Sequence, residues 1–315
     1  MFTRDALNAA LSAPVCALGH LPRRGRQVTH LRKGVQIMNQ LWKAAGAAAW
    51  GAASLGGLQP FLDETAREKI EALCPGAGTV LVAAFPYYAG DRPGNLSLYS
   101  RGEDYHRVLR RRLGQVCQAL EARYPGHAFV PGADSSPVPE LAAAVRSGVG
   151  RVGRNGLLFV PPYGSYVFLG TVLTDLDVPV TAPLTGSPCP EDCRACCKAC
   201  PTGALTEEGC DVAVCLSEVT QKKGALTETE AAHIKKSPTV WGCDLCQRAC
   251  PLNRNAALSP LPEFRENLLD SLTLDDLERM SNKAFRRQYG DRAFAWRGIG
   301  PLVRNLRVKE AEGEA

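Results

Sequence analysis

The chain has 315 residues, 45% of them hydrophobic, enough for two domains or for one large domain with a small companion. It contains no run of about 18 apolar residues, so no membrane span is indicated, and its formal charge of +5 is too mild to define a partner. Thirteen cysteines without a secretory signal pattern point to metal or redox chemistry in a reducing cytoplasm, not to structural disulfides.

Residues 1–37 carry Arg23, Arg24, Arg26, Arg32 and Lys33 with little periodicity. They read as an extension, from a start codon placed too early or as a basic nucleic-acid-binding arm. From Met38 onward the spacing of Leu41, Trp42, Ala45 and Trp50 predicts a helix over 39–53. A second helix is predicted over 64–73, capped by Asp63 and stopped by Pro75 and Gly76. The apolar run 79–85 suits a strand buried on both faces. Asp104 is placed to cap a helix reaching Arg123, with Val108, Leu109, Leu113, Val116 and Leu120 on one face. Arg110, Arg111 and Arg112 read as solvated. A strand near Val130 and a short helix over 139–147 follow. Segments 157–160 and 166–173 read as a strand pair joined at Tyr163–Gly164. These elements predict an α+β protein: an α/β domain over 38–182, a cysteine-rich domain over 183–258 and a short helical tail over 259–315.

Ten of the thirteen cysteines lie between Cys189 and Cys250. Cys193-x2-Cys196-x3-Cys200-Pro201 is echoed by Cys243-x2-Cys246-x3-Cys250-Pro251. A cubane needs four thiolates, and in two-cluster ferredoxins the cysteine before the proline reaches the other cluster. Two [4Fe–4S] clusters are therefore expected, one on Cys189, Cys193, Cys196 and Cys250, the other on Cys200, Cys215, Cys243 and Cys246. Cys189 serves across a loop one residue longer than the usual bacterial spacing, and Cys197 and Cys210 are the substitutes should a ligand differ. Zinc ribbons share the paired CxxC but explain neither the third cysteine nor the proline. Cys189-x3-Cys193-x2-Cys196 also has radical-SAM spacing, but the residues after it hold the second cluster motif where such enzymes need a barrel.

Further stretches carry a resemblance: Tyr99-Ser-Arg-Gly-Glu-Asp-Tyr-His106, Asp134-Ser-Ser-Pro-Val-Pro-Glu140, Gly148-Val-Gly-Arg-Val-Gly-Arg-Asn155, Cys215-Leu-Ser217, Gly242-Cys-Asp-Leu-Cys-Gln247 and Cys250-Pro-Leu-Asn253. With these the chain resembles the epoxyqueuosine reductases from about Met38 to Val308. The resemblance implies that residues 38–182 bind cobalamin, base-off and with no protein ligand to cobalt. Electrons pass from the clusters to cobalamin and on to the epoxide of the modified tRNA base, and Asp134 protonates the leaving oxygen. It places Tyr99, Arg101, Tyr105, Gly153, Asn155, Leu158 and Leu169 beside the cofactor. It also implies a tRNA substrate and an external low-potential electron donor for a monomer. An acid at Asp134 needs a raised pKa in a poorly solvated pocket.

The helical-repeat domain common in full-length members is not present in this sequence. A cobalamin iron–sulfur reductase of a small molecule, or an electron-transfer protein with no substrate of its own, are the rival readings. Arg279, Lys283, Arg286, Arg287, Arg292, Arg297, Arg304 and Arg307, with Tyr289 and Trp296 among them, suit phosphate contacts and base stacking or simply a solvated face.

Overall fold

The computed structural model describes residues 25–311; Cys16, Arg23 and Arg24 lie outside them. Helix α1 (Gly25–Ala44) begins before Met38, so helical structure crosses the boundary placed at residue 37. It then stops short of residue 53. Gly46 takes a left-handed φ of 83°, open to a residue without a Cβ. The chain turns there into strand β1 (Ala49–Ser54). The second half of the predicted helix is thus a strand, because pairing with a distant segment overrides local spacing. Trp50, which completed the helical pattern, stacks on Trp42 at 6.2 Å and donates its Nε1–H to Asn39 Oδ1 at 2.7 Å.

Helix α2 (Glu64–Leu73) starts at Asp63, whose Oδ1 accepts the Ala66 N–H at 2.7 Å. Strand β2 (Thr79–Pro86) is buried along its whole length. Leu81, Ala83 and Phe85 enter one core, and Val80, Val82 and Ala84 enter the other. Full burial of a side chain such as Leu81 or Phe85 stabilises by about 1.5–3 kcal/mol. Helix α3 (Tyr105–Arg123) is capped by Asp104 and packs its predicted apolar face into the first core. Strand β3 (Phe129–Gly132) and helix α4 (Glu140–Arg146) follow. Next come the short strands β4 (Arg151–Val152) and β5 (Leu158–Phe159), then the long β6 (Val167–Thr174).

The sheet order is β1–β2–β6–β3, every pair antiparallel. The expected pairing of the segment over 157–160 with β6 does not form. Both edges of β6 are taken, by β2 and β3, and β5 pairs with β4 instead. Helices cover both faces: α1 and α3 on one, α2 and α4 on the other. The result is a mixed α and β fold.

Beyond the sheet lie α5 (Ala195–Ala199), α6 (Leu216–Gln221) and α7 (Glu228–Lys236), then the turn Leu245–Arg248. Helices α8 (Asn282–Tyr289) and α9 (Gly300–Glu310) end the described chain. These last helices are no loose appendage. Leu277, Phe285, Phe294 and Leu302 share a core with Leu96 and Trp241 from earlier segments. Among the described residues, no helix is long and apolar enough to cross a membrane.

Several arginines read as solvated or phosphate-facing are structural. Arg112 donates to Glu263 Oε2 at 2.8 Å and to the Ala45 carbonyl at 2.9 Å, and Arg111 pairs with Glu103. Arg304 Nη1 donates to the carbonyls of Lys222 and Gly224 at 2.6 and 2.8 Å, closing the end of α6. Arg292 donates to the carbonyls of Arg101 and Asn267, both at 2.8 Å. Arg307 pairs with Glu278 at 3.0 Å. Arg279, Lys283, Arg286 and Arg287 remain exposed, and Arg297 stacks over the exposed Trp296 ring at 3.7 Å.

Candidate cofactor and active site

The cysteine-rich segment folds back so that its two CxxC turns, at α5 and at Leu245–Arg248, pack on each other. Cys200, Cys215, Cys243 and Cys246 line one cavity of about 410 Å³. The other four are neighbours of one another. Charge on Cys189 and Cys193 raises the Cys250 thiol further after burial has raised it, and Cys189 adds to the rise at Cys196. Burial pushes the Cys243 thiol up to about 12, with Asp244, Cys215 and Cys200 adding to it. Burial works the same way on Cys200, but the Thr202 hydroxyl and the N–H groups of Thr202, Leu205 and Ala204 hold that thiol below its ordinary value. The Arg154 N–H donates to Cys189 Sγ at 3.3 Å.

All eight are free thiols. Among the described residues no three metal-binding side chains close on one point, as a single ion requires. A cubane instead offers four separate irons, one for each thiolate, and hydrogen bonds to the sulfurs are the usual second layer. The donor set fits iron–sulfur chemistry. Cys210 also lines the cavity and is hydrogen-bonded to Cys215, whereas Cys197 lies beside Cys196.

That cavity wall also carries the aromatic rings of Tyr87, Tyr99, Tyr105 and Phe168 and the carboxyls of Asp134 and Glu140, among aliphatic residues. Phe168, at the head of β6, stacks on Tyr105 at 4.3 Å and on Tyr87 at 4.4 Å, which fixes the rings. A larger cavity of about 760 Å³ adjoins it, formed by the glycine-rich loop from Val152 to Leu157, the start of α4 and the Thr206–Val212 side. The two share Glu140, Asn155, Leu157 and Cys210. Asn155 is buried there with its Nδ2 unpartnered, a donor left for a ligand.

Asp134 sits on the loop after β3 at φ 61°, the left-handed region that Asn and Asp tolerate better than other side chains. Its Oδ2 lies 3.0 Å from His106 Nε2, and His106 Nδ1 lies 2.8 Å from Asp104 Oδ1. Those two carboxylates, Asp104 foremost, lift the His106 pKa to about 9. In return the His106 hydrogen bond holds Asp134 below the usual carboxylate range, although burial pulls the other way. The raised pKa required of the acid is therefore not at Asp134, whose side chain is 60% exposed. It is at Glu140, whose Oε1 accepts the Asp134 N–H at 2.8 Å. Burial pushes the Glu140 carboxyl up to about 8, against that hydrogen bond and with the nearby Asp134 charge adding to the rise.

The structure brings Tyr99, Tyr105, Asp134, Asn155 and Leu169 to the smaller cavity and Gly153 to the larger. Two of the named residues go elsewhere. Arg101 is 2% exposed, and its guanidinium donates to the carbonyls of Leu96 and Arg92 and to Asp270 Oδ1. It braces the loop ahead of α3 and lines neither cavity. Leu158 turns into the core, and its neighbour Leu157 lines both cavities, since successive residues of an extended segment face opposite ways. His106 and Glu140 were within the quoted motifs but were given no role. The available signal was the Asp-x-His step at a helix start and a carboxylate opening the following helix.

Residues 67–135 match the family described as Epoxyqueuosine reductase QueG, DUF1730, and residues 189–253 match the 4Fe-4S double cluster binding domain. An epoxyqueuosine reductase of Gloeobacter violaceus is 35% identical over 252 residues, covering 76% of this chain and 77% of that one. This chain belongs to the epoxyqueuosine reductase family. The family member from Lactococcus garvieae is 36% identical over 71% of this chain, which spans 65% of that relative's length, just under two-thirds. A family structure solved with an epoxyqueuosine-modified tRNA-Tyr stem loop superposes with a TM-score of 0.75 at 25% identity, covering 89% of this chain and 81% of that one. A 4Fe–4S binding domain is accordingly part of this chain.

Proposed function

We propose that this chain reduces epoxyqueuosine in tRNA to queuosine, with two [4Fe–4S] clusters and base-off cobalamin as its cofactors. The observation that carries the reading is the single cavity whose wall holds Cys200, Cys215, Cys243 and Cys246 together with Asp134 and Glu140. Electrons and protons delivered to one cavity are what reductive removal of an oxygen needs.

Cysteines 189, 193, 196 and 250 hold the outer cluster, and cysteines 200, 215, 243 and 246 hold the inner one, with Cys197 and Cys210 outside both sets. Gly153, Asn155, Leu157 and Leu169, with Tyr99 and Tyr105, hold the corrin. Bound there, cobalamin supplies a low-potential two-electron reductant. The stacked Tyr87, Phe168 and Tyr105 rings keep water from the reacting face. The imidazolium of His106, held by Asp104, is the proton source, and the ionised Asp134 beside it relays that proton to the epoxide oxygen. The exposed Arg279, Lys283, Arg286 and Arg287 and the Trp296–Arg297 stack supply the phosphate-facing and base-stacking surface for the tRNA. An external low-potential one-electron donor feeds the outer cluster.

The test is an inventory followed by an assay. Anaerobically purified protein should hold about eight irons and one cobalamin per chain, and with a chemical reductant it should convert epoxyqueuosine to queuosine in tRNA. Full cofactors with no conversion in tRNA, but turnover of a small epoxide, would leave a small-molecule reductase. Iron without cobalamin would leave an electron-transfer protein.

A further inference from the structure

Turning an epoxide into a carbon–carbon double bond breaks two C–O bonds and releases the oxygen as water. The balance is two electrons and two protons per turnover. The electrons come from the external donor through the clusters. The His106–Asp134 pair gives one proton, to the oxygen as the first C–O bond opens to a hydroxyl. A second is needed when that hydroxyl leaves.

We infer that Glu140 is the second proton donor of the site, protonating the hydroxyl as the second C–O bond breaks and it departs as water. The inference rests on the function proposed above. Among the described residues Glu140 is the only other carboxyl on the wall of the smaller cavity, and it is shared by the walls of both cavities. One of its oxygens is engaged as acceptor of the Asp134 N–H, so the proton resides on the other. That hydrogen bond also fixes its place: it joins the first residue of α4 to the backbone of the proton-donating loop.

Its surroundings keep it an acid. The elements packed beneath α4, namely β1, β2, β6 and the Leu55–Leu58 turn, contain no titratable side chain in their sequences. The charged and titratable groups that act on Glu140 are Asp134 on its own loop and His106 and Tyr105 of α3; Arg154, Cys210, Glu208 and Asp211 share the wall of the larger cavity with it, and Tyr87, Tyr99, Cys200, Cys215, Cys243 and Cys246 the wall of the smaller. Burial disfavours the charged form of Glu140, and the negative charge of Asp134 beside it adds to that. The two carboxyls thus divide the work: one ionised and recharged through His106, one protonated from the outset.

The decisive variant is Glu140→Gln, whose amide oxygen still accepts the Asp134 N–H but carries no acid proton. Infrared difference spectra of the purified protein should show a protonated carboxylic acid at pH 7. That band should titrate away as the pH rises through about 8. It should persist in Asp134→Asn and vanish in Glu140→Gln. Turnover in Glu140→Gln should fall by about 10²-fold or more, with iron and cobalamin content equal to the parent's. Absence of the band from the parent at pH 7, or turnover in Glu140→Gln within a few-fold of the parent's, overturns the inference. A parent chain with no epoxyqueuosine turnover overturns the proposed function instead, and shows it before any variant is made.

Discussion

His106 Nε2 stands 3.0 Å from Asp134 Oδ2. With Asp104 on its other nitrogen, the ring gains its proton more readily when folded than when unfolded. A group whose folded pKa is raised contributes stability fully present below its unfolded value and lost as pH rises through the folded one. For His106 that window runs from its ordinary 6.5 to about 9. Thermal unfolding of the parent and of His106→Gln should therefore differ most below pH 6.5, and the difference should shrink towards pH 9. Glu140 titrates in both proteins and cancels in the comparison. A difference constant from pH 6 to 9 would mean the imidazole is not charged in this pair.

Asp134→Asn tests the relay itself. Asn accepts the left-handed φ of 61° nearly as well as Asp, so the fold, the iron and the cobalamin should be retained. Turnover should fall by about 10²–10⁴-fold. Asp134→Ala is the poorer probe, because a strained backbone there confuses lost chemistry with lost position. Turnover within a few-fold of the parent in Asp134→Asn would remove this carboxyl from the reaction.

What was legible in the sequence was whatever a short stretch decides alone. The buried run of β2, the Asp104 cap and apolar face of α3 and the spacing of the CxxC turns each follow from neighbouring residues. What was misread depended on partners far along the chain. The 39–53 segment is split because Ala49 pairs with Ala84. Arg101 and Arg304 looked like ligand-binding cations, yet Arg101 pairs with the carboxylate of Asp270 and Arg304 donates to the carbonyls of Lys222 and Gly224. Leu157 and Leu158 differ only in which way an extended chain turns them. A pKa is the least legible of all: Asp134 and Glu140 are both carboxyls of one motif, and only the placement of His106 and of the apolar strands separates them.

The exposed and the structural arginines of the last helices should separate by experiment. Arg286→Glu with Arg287→Glu should leave thermal stability unchanged. It should also weaken tRNA binding and reduce the slope of log affinity against log salt by about one to two. Arg304→Ala should instead lose about 0.5–1.5 kcal/mol of stability, because it removes the donor that ties the carbonyls at the end of α6 to α9. Equal tRNA affinity in the double variant would make this face merely solvated.

Asn253 ties the second cluster turn to the sheet. It is 5% exposed, and its Oδ1 accepts the Ser165 N–H at 2.8 Å. Its Nδ2 donates to Ser165 Oγ and to the Gln247 carbonyl, both at 2.9 Å. Gln247 in turn donates to Tyr87 Oη at 3.1 Å and to the Ser165 carbonyl at 3.0 Å. Gly164 completes the fit: at φ 61° a Cβ there would lie 2.1 Å from Asn253 Oδ1. Asn253→Leu leaves the buried Ser165 N–H without a partner, a loss of about 1–3 kcal/mol, and takes one donor from the Gln247 carbonyl, which keeps the Cys250 N–H. The loosened segment is the one that carries Cys246 and Cys250, one ligand of each proposed cluster. Iron should consequently be extracted by a chelator faster from Asn253→Leu than from the parent, with both clusters affected. Gly164→Ala, which pushes on the same joint from the sheet side, should have the same effect. Extraction at the parent's rate in both variants would show that the cluster loops are held by their own turns, independently of the sheet.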